Sequence, residues 1–428
     1  MIKYLSVIYS YMTDLPIFNS KEKENGKLAA LSLASLGHFV NDGTMFFFPL
    51  IIAVFASSGS FSPVVLTALL AVFYITASLF SLAVGRLSQL IHRYGILISA
   101  GFVMMALGLG IFYFVVVSPD KPFASVLSLV ASFAMGAGSA FYHPLGAAVL
   151  QNRFKNRDQG KALGINGAMG SLGRSIYPYL FFAIAVFTSM SGSFIVFAAV
   201  AIISASLILF RLKDRSEPNV AVDQGTTVSQ KKSTVSGAII LLTVITFIRT
   251  TASQGIASWM PTYLSSVEGY GITTSLGLAL SIMYASAILG QPLFGILADR
   301  YDRRMLLSLS SVGTAMSVLG ILFIGGFANI LFLMLFGFFT FSGFPLLFSI
   351  ISSYASKTSS SMNNSIVWGF GSQGGMAAGP IIAGSIILDQ YQRLTLSFEV
   401  FVILSLIAAI LVFTLPKTQK RGKMALFG

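Results

Sequence analysis

Three ionisable side chains lie deep inside long apolar segments of this chain, where a charge is costly and usually has a function. At 1.5 Å per residue, Asp42 and Arg174 lie about 20 Å, and Arg249 about 16 Å, from the start of their segments. The three segments are predicted to start from the same side, so all three groups should lie near the middle of a membrane. One acid cannot neutralise two arginines, so at least one positive charge should remain for another partner.

These groups suit proton-coupled binding of an anion. Two guanidinium groups can hold a carboxylate or phosphonate through paired hydrogen bonds. Asp42 is the predicted proton carrier, because its protonation would respond to burial and to neighbouring charge. His143 and His38 are candidate relays, since imidazole titrates near neutral pH. Structural alternatives stay open: an Asp42–arginine pair, a simple His38–Asp42 hydrogen bond, or a His143 hydrogen bond to a carbonyl freed by Pro144.

Further polar residues within the apolar segments are candidates for substrate binding. Gln254 carries the most weight, because it occupies the position in the second half that corresponds to Asp42 in the first. Hydrogen bonding between helices is the alternative explanation for any one of these residues. The predicted substrate-binding set is Arg249, Arg174, Asn41, Gln254, Trp368 and Gln373.

Composition places most of the chain in lipid. Of its 428 residues, 55% are hydrophobic and 10% are charged, with a mean hydropathy of +0.83, whereas soluble domains carry about 25% charged residues. The absence of cysteine excludes disulfides and thiolate chemistry. Three scattered histidines and one acid at mid-depth offer neither a nucleophile–base pair nor a metal cluster. We therefore predict no enzyme activity, no cofactor and no metal site.

Twelve apolar segments are long enough to cross a bilayer, which needs about twenty residues each. The only long polar stretch between them divides the set into six plus six. The predicted organisation is a cytoplasmic tail (1–27), a six-helix bundle (28–212), a cytoplasmic linker (213–235), a second six-helix bundle (236–415) and a cytoplasmic tail (416–428). The predicted fold class is therefore an all-α membrane protein with twelve transmembrane helices.

The distribution of positive charge predicts the orientation. Of the 27 Lys and Arg residues, 23 fall in the tails and loops of one side and 2 in those of the other. Positive loops stay inside, so both termini are predicted to be cytoplasmic and the protein to be a multi-pass protein of the cell membrane. The same distribution explains the net charge of +13 without a nucleic-acid partner. The expected partners are a small-molecule substrate, protons and membrane lipid, and the expected state is a monomer.

The two halves repeat several features at similar offsets. A polar residue and Gly precede a proline in the first and seventh segments, offset by 212 residues. A loop glycine recurs at an offset of 210, and a His or Phe that is followed directly by a proline recurs at 201. Offsets this similar predict parallel repeats about an axis along the membrane normal. The matched positions are Asp42 with Gln254, Pro49 with Pro261, Gly85 with Gly295, and His143 with Phe344.

Twelve segments in two halves and a charged loop at Gly295–Arg304 resemble the major facilitator superfamily over essentially the whole chain. In that superfamily this loop latches the cytoplasmic ends of the two bundles, and Gly85–Gly95 is a weaker copy of it. The resemblance therefore implies a cytoplasmic gate made of Gly295, Asp299, Arg300, Arg304, Gly85, Arg86 and Arg93.

Within the superfamily, His38–Asp42 and Gly136–Pro144 resemble the fosmidomycin-resistance family of drug exporters. That resemblance implies proton-driven export of a small, anionic or amphiphilic organic compound by alternating access. Proton-symport uptake of a small organic anion, a carboxylate or organophosphate, is the alternative, and Arg174 and Arg249 favour it. A non-transporting membrane sensor is a third possibility, which an appended soluble domain would favour.

Overall fold

The computed structural model describes residues 21–91, 93–118, 123–154, 156–212, 236–326, 328–354, 363 and 366–417. Within these residues the regular structure is helical and contains no strand. The helices are α1 (Lys21–Ser58), α2 (Pro63–Leu90), α3 (Tyr94–Val117), α4 (Ala124–Ser139), α5 (Tyr142–Arg153), α6 (Asn156–Phe187), α7 (Met190–Arg211), α8 (Gly237–Ser266), α9 (Thr274–Ala285), α10 (Ala287–Arg300), α11 (Arg303–Phe323), α12 (Ala328–Tyr354), α13 (Gly374–Ile387) and α14 (Leu394–Leu411).

Eleven of the described helical segments are long and apolar enough to cross a membrane. The α4–α5 and α9–α10 pairs each form one of these crossings. A π-helical segment, Val367–Gln373, continues directly into α13 and occupies the remaining place in the repeat. The predicted fold class is confirmed. Helix α1 begins at Lys21, so its first turns lie within the predicted tail, while the predicted linker 213–235 lies outside the described residues.

Proline shapes several of the crossings. Pro144 lies in the first turn of α5, where its missing N–H costs no hydrogen bond, and α4 ends just before it. Pro49 and Pro261 lie inside α1 and α8, which are the first crossings of the two halves. The break between α4 and α5, at residues 140–141, comes directly before Tyr142 and His143.

The helices pack in the same pattern in both halves. In the N-terminal half α1 packs on α6, α3 on α4 and α7, and α2 on α4. In the C-terminal half α8 packs on α13, α11 on α12 and α14, and α10 on α12. The halves meet where α6 packs on α9, α2 on α13 and α1 on α8. Helix α2 in the first half corresponds to α9 in the second, and α6 corresponds to α13. The α6–α9 contact is therefore the equivalent of the α2–α13 contact, as two parallel repeats require.

The two halves are sealed together at one end. We call the end formed by the described residues 90, 91, 93, 94, 153, 154, 156, 212, 236 and 300–303 the basic end, and the other end the opposite end. Towards the opposite end a single buried apolar cluster joins both halves, with members such as Phe47 and Phe73 from one half and Trp259 and Phe398 from the other. Small residues permit close contact there: at Gly384 an added Cβ would meet the side chain of Thr67.

Towards the basic end the halves are separate. The buried apolar clusters there belong to one half each, either within residues 30–212 or within residues 239–415. An added Cβ would meet nothing within 4 Å at Gly85, Gly164, Gly167 or Gly295. Among the described residues, the two bundles therefore close the opposite end and leave the basic end open.

Candidate functional site

Asp42 lies at mid-depth, between the opposite end, where the bundles are in contact, and the basic end, where they are apart. On α1, Val40 belongs to a cluster of the basic end and Met45 to the cluster that joins the two bundles. Asp42 and its neighbour Asn41 lie between these residues and are both buried. A carboxylate at this depth is at the inner end of the opening between the bundles.

Two histidines contact the Asp42 carboxylate, one on each oxygen. His38 Nε2 lies 3.4 Å from Oδ2 and His143 Nε2 lies 3.4 Å from Oδ1. His38 is one helical turn earlier on α1, whereas His143 comes from the first turn of α5. Of the His143 side-chain surface 45% is accessible, against 5% for Asp42. His143 therefore connects the buried carboxylate to the space between the bundles.

Tyr142 fixes the position of this histidine pair. Its hydroxyl donates to the Ala34 carbonyl oxygen at 2.5 Å and also lies 2.8 Å from the Asn166 side-chain amide, which ties α5 to both α1 and α6. The Tyr142 and His38 rings lie 5.1 Å apart between centroids. Tyr142 belongs to the Gly136–Pro144 motif, and its position beside His143 is the only feature of the sequence that points to it.

Arg174 joins Asp42 to the other bundle. Its Nη1 lies 3.9 Å from Asp42 Oδ2, and its Nη2 donates to Ser171 Oγ at 2.6 Å. The guanidinium lies over two rings, 5.2 Å from the Phe46 centroid and 4.9 Å from that of Phe341 on α12. Cation–π contacts of this kind are worth about 0.5–2 kcal/mol. The predicted Asp42–arginine pair thus exists, and the arginine in it also reaches the second bundle.

Arg249 lies in a separate polar pocket inside the C-terminal bundle. Its Nη2 donates to Ser310 Oγ at 3.0 Å and to the Thr340 carbonyl oxygen at 2.7 Å. An added Cβ at Gly343 would collide with its guanidinium. Arg249 has no carboxylate within 4 Å among the described residues, so it is the buried positive charge left over after Asp42 pairs with Arg174. Its predicted contact with substrate stays a prediction.

Gln254 contacts the other bundle. Its Nε2 donates to the Tyr74 hydroxyl at 2.7 Å and to Ser258 Oγ at 3.1 Å, and Ser258 in turn donates to Tyr74 at 3.2 Å. These bonds link α8 to α2 across the sealed interface; no pattern in the sequence indicated Tyr74. Trp368 and Gln373 are half-buried in the π-helical segment. The substrate-binding roles of all three remain predictions.

The charged loop at the basic end contains one ion pair among the described residues. Asp302, not Asp299, makes the ion pair within it: its Oδ2 lies 2.7 Å from Arg304 Nη2. Asp299 is exposed and pairs with no described residue. Arg300 is exposed as well, and so are Arg86 and Arg93 in the corresponding loop of the first half. Among the described residues these four groups make no ion pair with the other bundle, and their role as a latch stays a prediction.

Three solved structures that superpose on this chain are named as transporters or as a homolog of one. A bacterial homolog of the human lysosomal transporter Spinster, inward-facing and unoccupied, superposes with a TM-score of 0.71 at 13% identity, over 92% of this chain and 97% of that one. The same homolog in an occupied, inward-facing conformation gives a TM-score of 0.70. A mutant form of the nucleoside transporter NupG gives 0.71 at 15% identity, over 91% and 99%. No curated protein matches the chain in sequence.

The repeated bundles and the polar cluster at their junction define the class, a membrane transporter and not an enzyme. The profile of the Major Facilitator Superfamily matches residues 34–367 and 273–426, so the chain belongs to that superfamily. The narrower resemblance to the fosmidomycin-resistance family stays a prediction.

Proposed function

We propose that this protein is a proton-coupled secondary transporter that exports a small, anionic or amphiphilic organic compound by alternating access. The observation that carries the proposal is the position of Asp42. It is buried at the inner end of the opening, contacts His38, His143 and Arg174, and reaches the opening through His143. A titratable group at the midplane, between the repeats, is where such proteins place substrate and coupling sites.

Each side chain then has a distinct role. Asp42 carries the proton, and His143 with His38 passes it between the opening and the carboxylate. Arg174 is the counter-charge of Asp42 when the carboxylate is ionised. Protonation of Asp42 removes that partner and frees the guanidinium, because a neutral acid no longer attracts it. Arg174 also lies against Phe341 of the second bundle. A freed guanidinium that moves to a substrate anion leaves this contact, which helps to hold the opposite end closed.

The basic end is proposed to face the cytoplasm, because positively charged loops stay inside. The open arrangement is then the inward-facing state in the cell membrane, and the substrate enters from the cytoplasm. Proton-symport uptake of an organic anion is the second candidate. The 3.9 Å contact between Asp42 and Arg174 favours this candidate. An anion that binds Arg174 lies close to the Asp42 carboxylate, and protonation of Asp42 removes the repulsion between the two negative charges.

The test has two stages. A thermal-shift screen of monocarboxylates, phosphonates and lipophilic cations on purified protein identifies a ligand, and that ligand is then followed in proteoliposomes. Asp42→Asn should abolish flux driven by a pH gradient and should retain substrate exchange without a gradient, because exchange needs binding but no net proton movement. Asp158→Asn, which changes an exposed acid on α6 near Lys161, is the matched control.

Gradient-driven flux in Asp42→Asn equal to that of Asp158→Asn would place the coupling proton elsewhere, with His143 as the next candidate. The direction follows from the sign of the proton movement. Substrate efflux accompanied by proton entry supports export, and joint entry of both supports the symport alternative.

A further inference from the structure

The side chains around Asp42 are spaced as metal ligands are. We infer that His38, Asp42, His143 and Asn41 form a binding site for a divalent transition-metal ion. This inference rests on the proposed transport role of the site and names part of its cargo: a metal ion carried with a small anionic chelator. One nitrogen from each histidine and one carboxylate oxygen all lie within 4.8 Å of one another.

The imidazole–carboxylate distances are longer than those of strong hydrogen bonds. Hydrogen bonds between such groups are about 2.7–3.0 Å long. Here both imidazole nitrogens lie 3.4 Å from the carboxylate oxygens that they face. Ligands about 2.0–2.2 Å from one tetrahedral ion are separated by about 3.4 Å. Each imidazole–carboxylate spacing therefore matches that of two ligands on one ion, and the widest spacing among the three ligand atoms, up to 4.8 Å, shortens when an ion binds.

Asn41 supplies a fourth donor. Its Nδ2 lies 3.4 Å from Asp42 Oδ1 and 3.4 Å from His143 Nε2, while its buried Oδ1 has no hydrogen-bond partner. The two ends of an amide are interchangeable in shape, so a half-turn about the last bond exchanges them. That half-turn places a carbonyl oxygen at the same 3.4 Å spacing. Two imidazoles, one carboxylate and one amide oxygen suit Zn²⁺, Co²⁺, Ni²⁺ or Mn²⁺.

The charge near the site indicates how the ion is carried. Asp42 and Arg174 neutralise each other, so a bare divalent ion would bring two uncompensated positive charges to mid-membrane depth. A chelator that carries carboxylates offsets them, and one of its carboxylates can take the paired hydrogen bonds of Arg174. The accessible face of His143 leaves room for such a complex to approach from the basic end. The cargo class is therefore a divalent transition metal bound by a small organic acid.

The test titrates tag-free, purified protein in detergent with Co²⁺, alone and with citrate, and records its visible absorption; calorimetry with Zn²⁺ gives the stoichiometry. One ion per chain should bind, with the absorption of cobalt in a nitrogen–oxygen site. His143→Ala and Asn41→Val should each weaken binding at least about tenfold, by the scale of losses around metal sites. His92→Ala is the control: it removes the third histidine of the chain, which lies outside the described residues.

Equal affinity in His143→Ala and His92→Ala, or the absence of stoichiometric binding in the unaltered protein, would overturn the inference. Because His143 is accessible, its loss should leave folding intact, and a thermal melt of each variant checks this. The two proposals fail separately. Gradient-driven flux of a metal-free compound without any metal binding leaves the proposed function standing, whereas cobalt binding without proton-coupled flux leaves the metal site standing.

Discussion

Individual glycines set the distance between α1 and α6, and that distance sets the Asp42 site. An added Cβ at Gly173 would collide with the backbone of Phe39, whose carbonyl oxygen and Cα lie against it. The ring of His38 lies against Gly170 in the same way. Without these two close approaches, Arg174 on α6 could not lie within 4 Å of Asp42 on α1.

Gly173→Ala should therefore destabilise the protein by about 1–3 kcal/mol, because the added methyl group meets backbone that cannot move aside easily. Gly164→Ala, on the same helix but with nothing within 4 Å, should be neutral or stabilising by up to about 1 kcal/mol. Thermal melts of both variants in detergent measure the difference. Equal melting temperatures would show that α1 and α6 are not in close contact at Gly173.

At the scale of the helix, the loop before α11 combines a structural acid, Asp302, with a second acid, Asp299, that is exposed. Asp302 is the N-cap residue of α11, and its side chain accepts a hydrogen bond from the Arg304 amide at 2.9 Å. Hydrogen bonds from Arg304 hold the pKa of Asp302 below its ordinary value. Asp299, three residues earlier, is exposed. The two acids should therefore respond differently to substitution.

Asp302→Ala should cost about 0.5–2 kcal/mol of stability, the usual effect of losing an N-cap, and Asp299→Ala should cost little. Because the pKa of Asp302 is lowered in the folded state, its contribution is present above the ordinary pKa of the group, about 4, and is lost as pH falls through the lowered value. Melting curves of the two variants at neutral and acid pH give this comparison.

Substitutions of Asp299 and Asp302 also distinguish an effect on gating from an effect on stability. If Asp299 latches the basic end in the other conformational state, Asp299→Asn should slow transport while leaving substrate affinity nearly unchanged. Slow turnover in Asp302→Ala alone, with normal turnover in Asp299→Asn, would contradict the latch assignment.

At the scale of the whole molecule, the sealed end predicts which contacts must break during transport. The bundles meet there through the shared apolar cluster, the Tyr74–Gln254 hydrogen bond and the approach of Gly384 to Thr67. If the protein works by alternating access as proposed, these contacts open while the basic end closes. A covalent link across them should therefore stop the cycle.

The absence of native cysteine allows a direct test with Thr67→Cys combined with Gly384→Cys. A Cβ built at Gly384 lies 2.6 Å from the Thr67 Cβ, so a separation of about 1 Å more reaches the 3.5–4.5 Å range of a disulfide. Oxidation should abolish transport, and reduction should restore it. The two single-cysteine variants are the controls, and full transport in quantitatively cross-linked protein would exclude alternation at this interface.

The sequence alone determined the features that depend on local composition. Runs of about twenty apolar residues specify membrane helices wherever they occur, and the matching offsets of Pro49 with Pro261 and Gly85 with Gly295 indicate the repeat. Depth along a helix follows from counting residues, so the burial of Asp42, Arg174 and Arg249 was also predictable. These features can be read from a single segment, or from the comparison of two segments, without knowing how the helices pack.

The tertiary structure decided which groups meet. His143 lies about one hundred residues from Asp42 in the chain and Tyr74 lies 180 from Gln254, yet both pairs are in contact. In the sequence the histidines are scattered, and nothing in it indicates whether Arg174 or Arg249 is the partner of Asp42. Such choices depend on the rotation and separation of neighbouring helices. These are set by close approaches such as Gly173 to Phe39 and by the break before Pro144, because side chains on two helices meet only when both packing distance and direction are fixed.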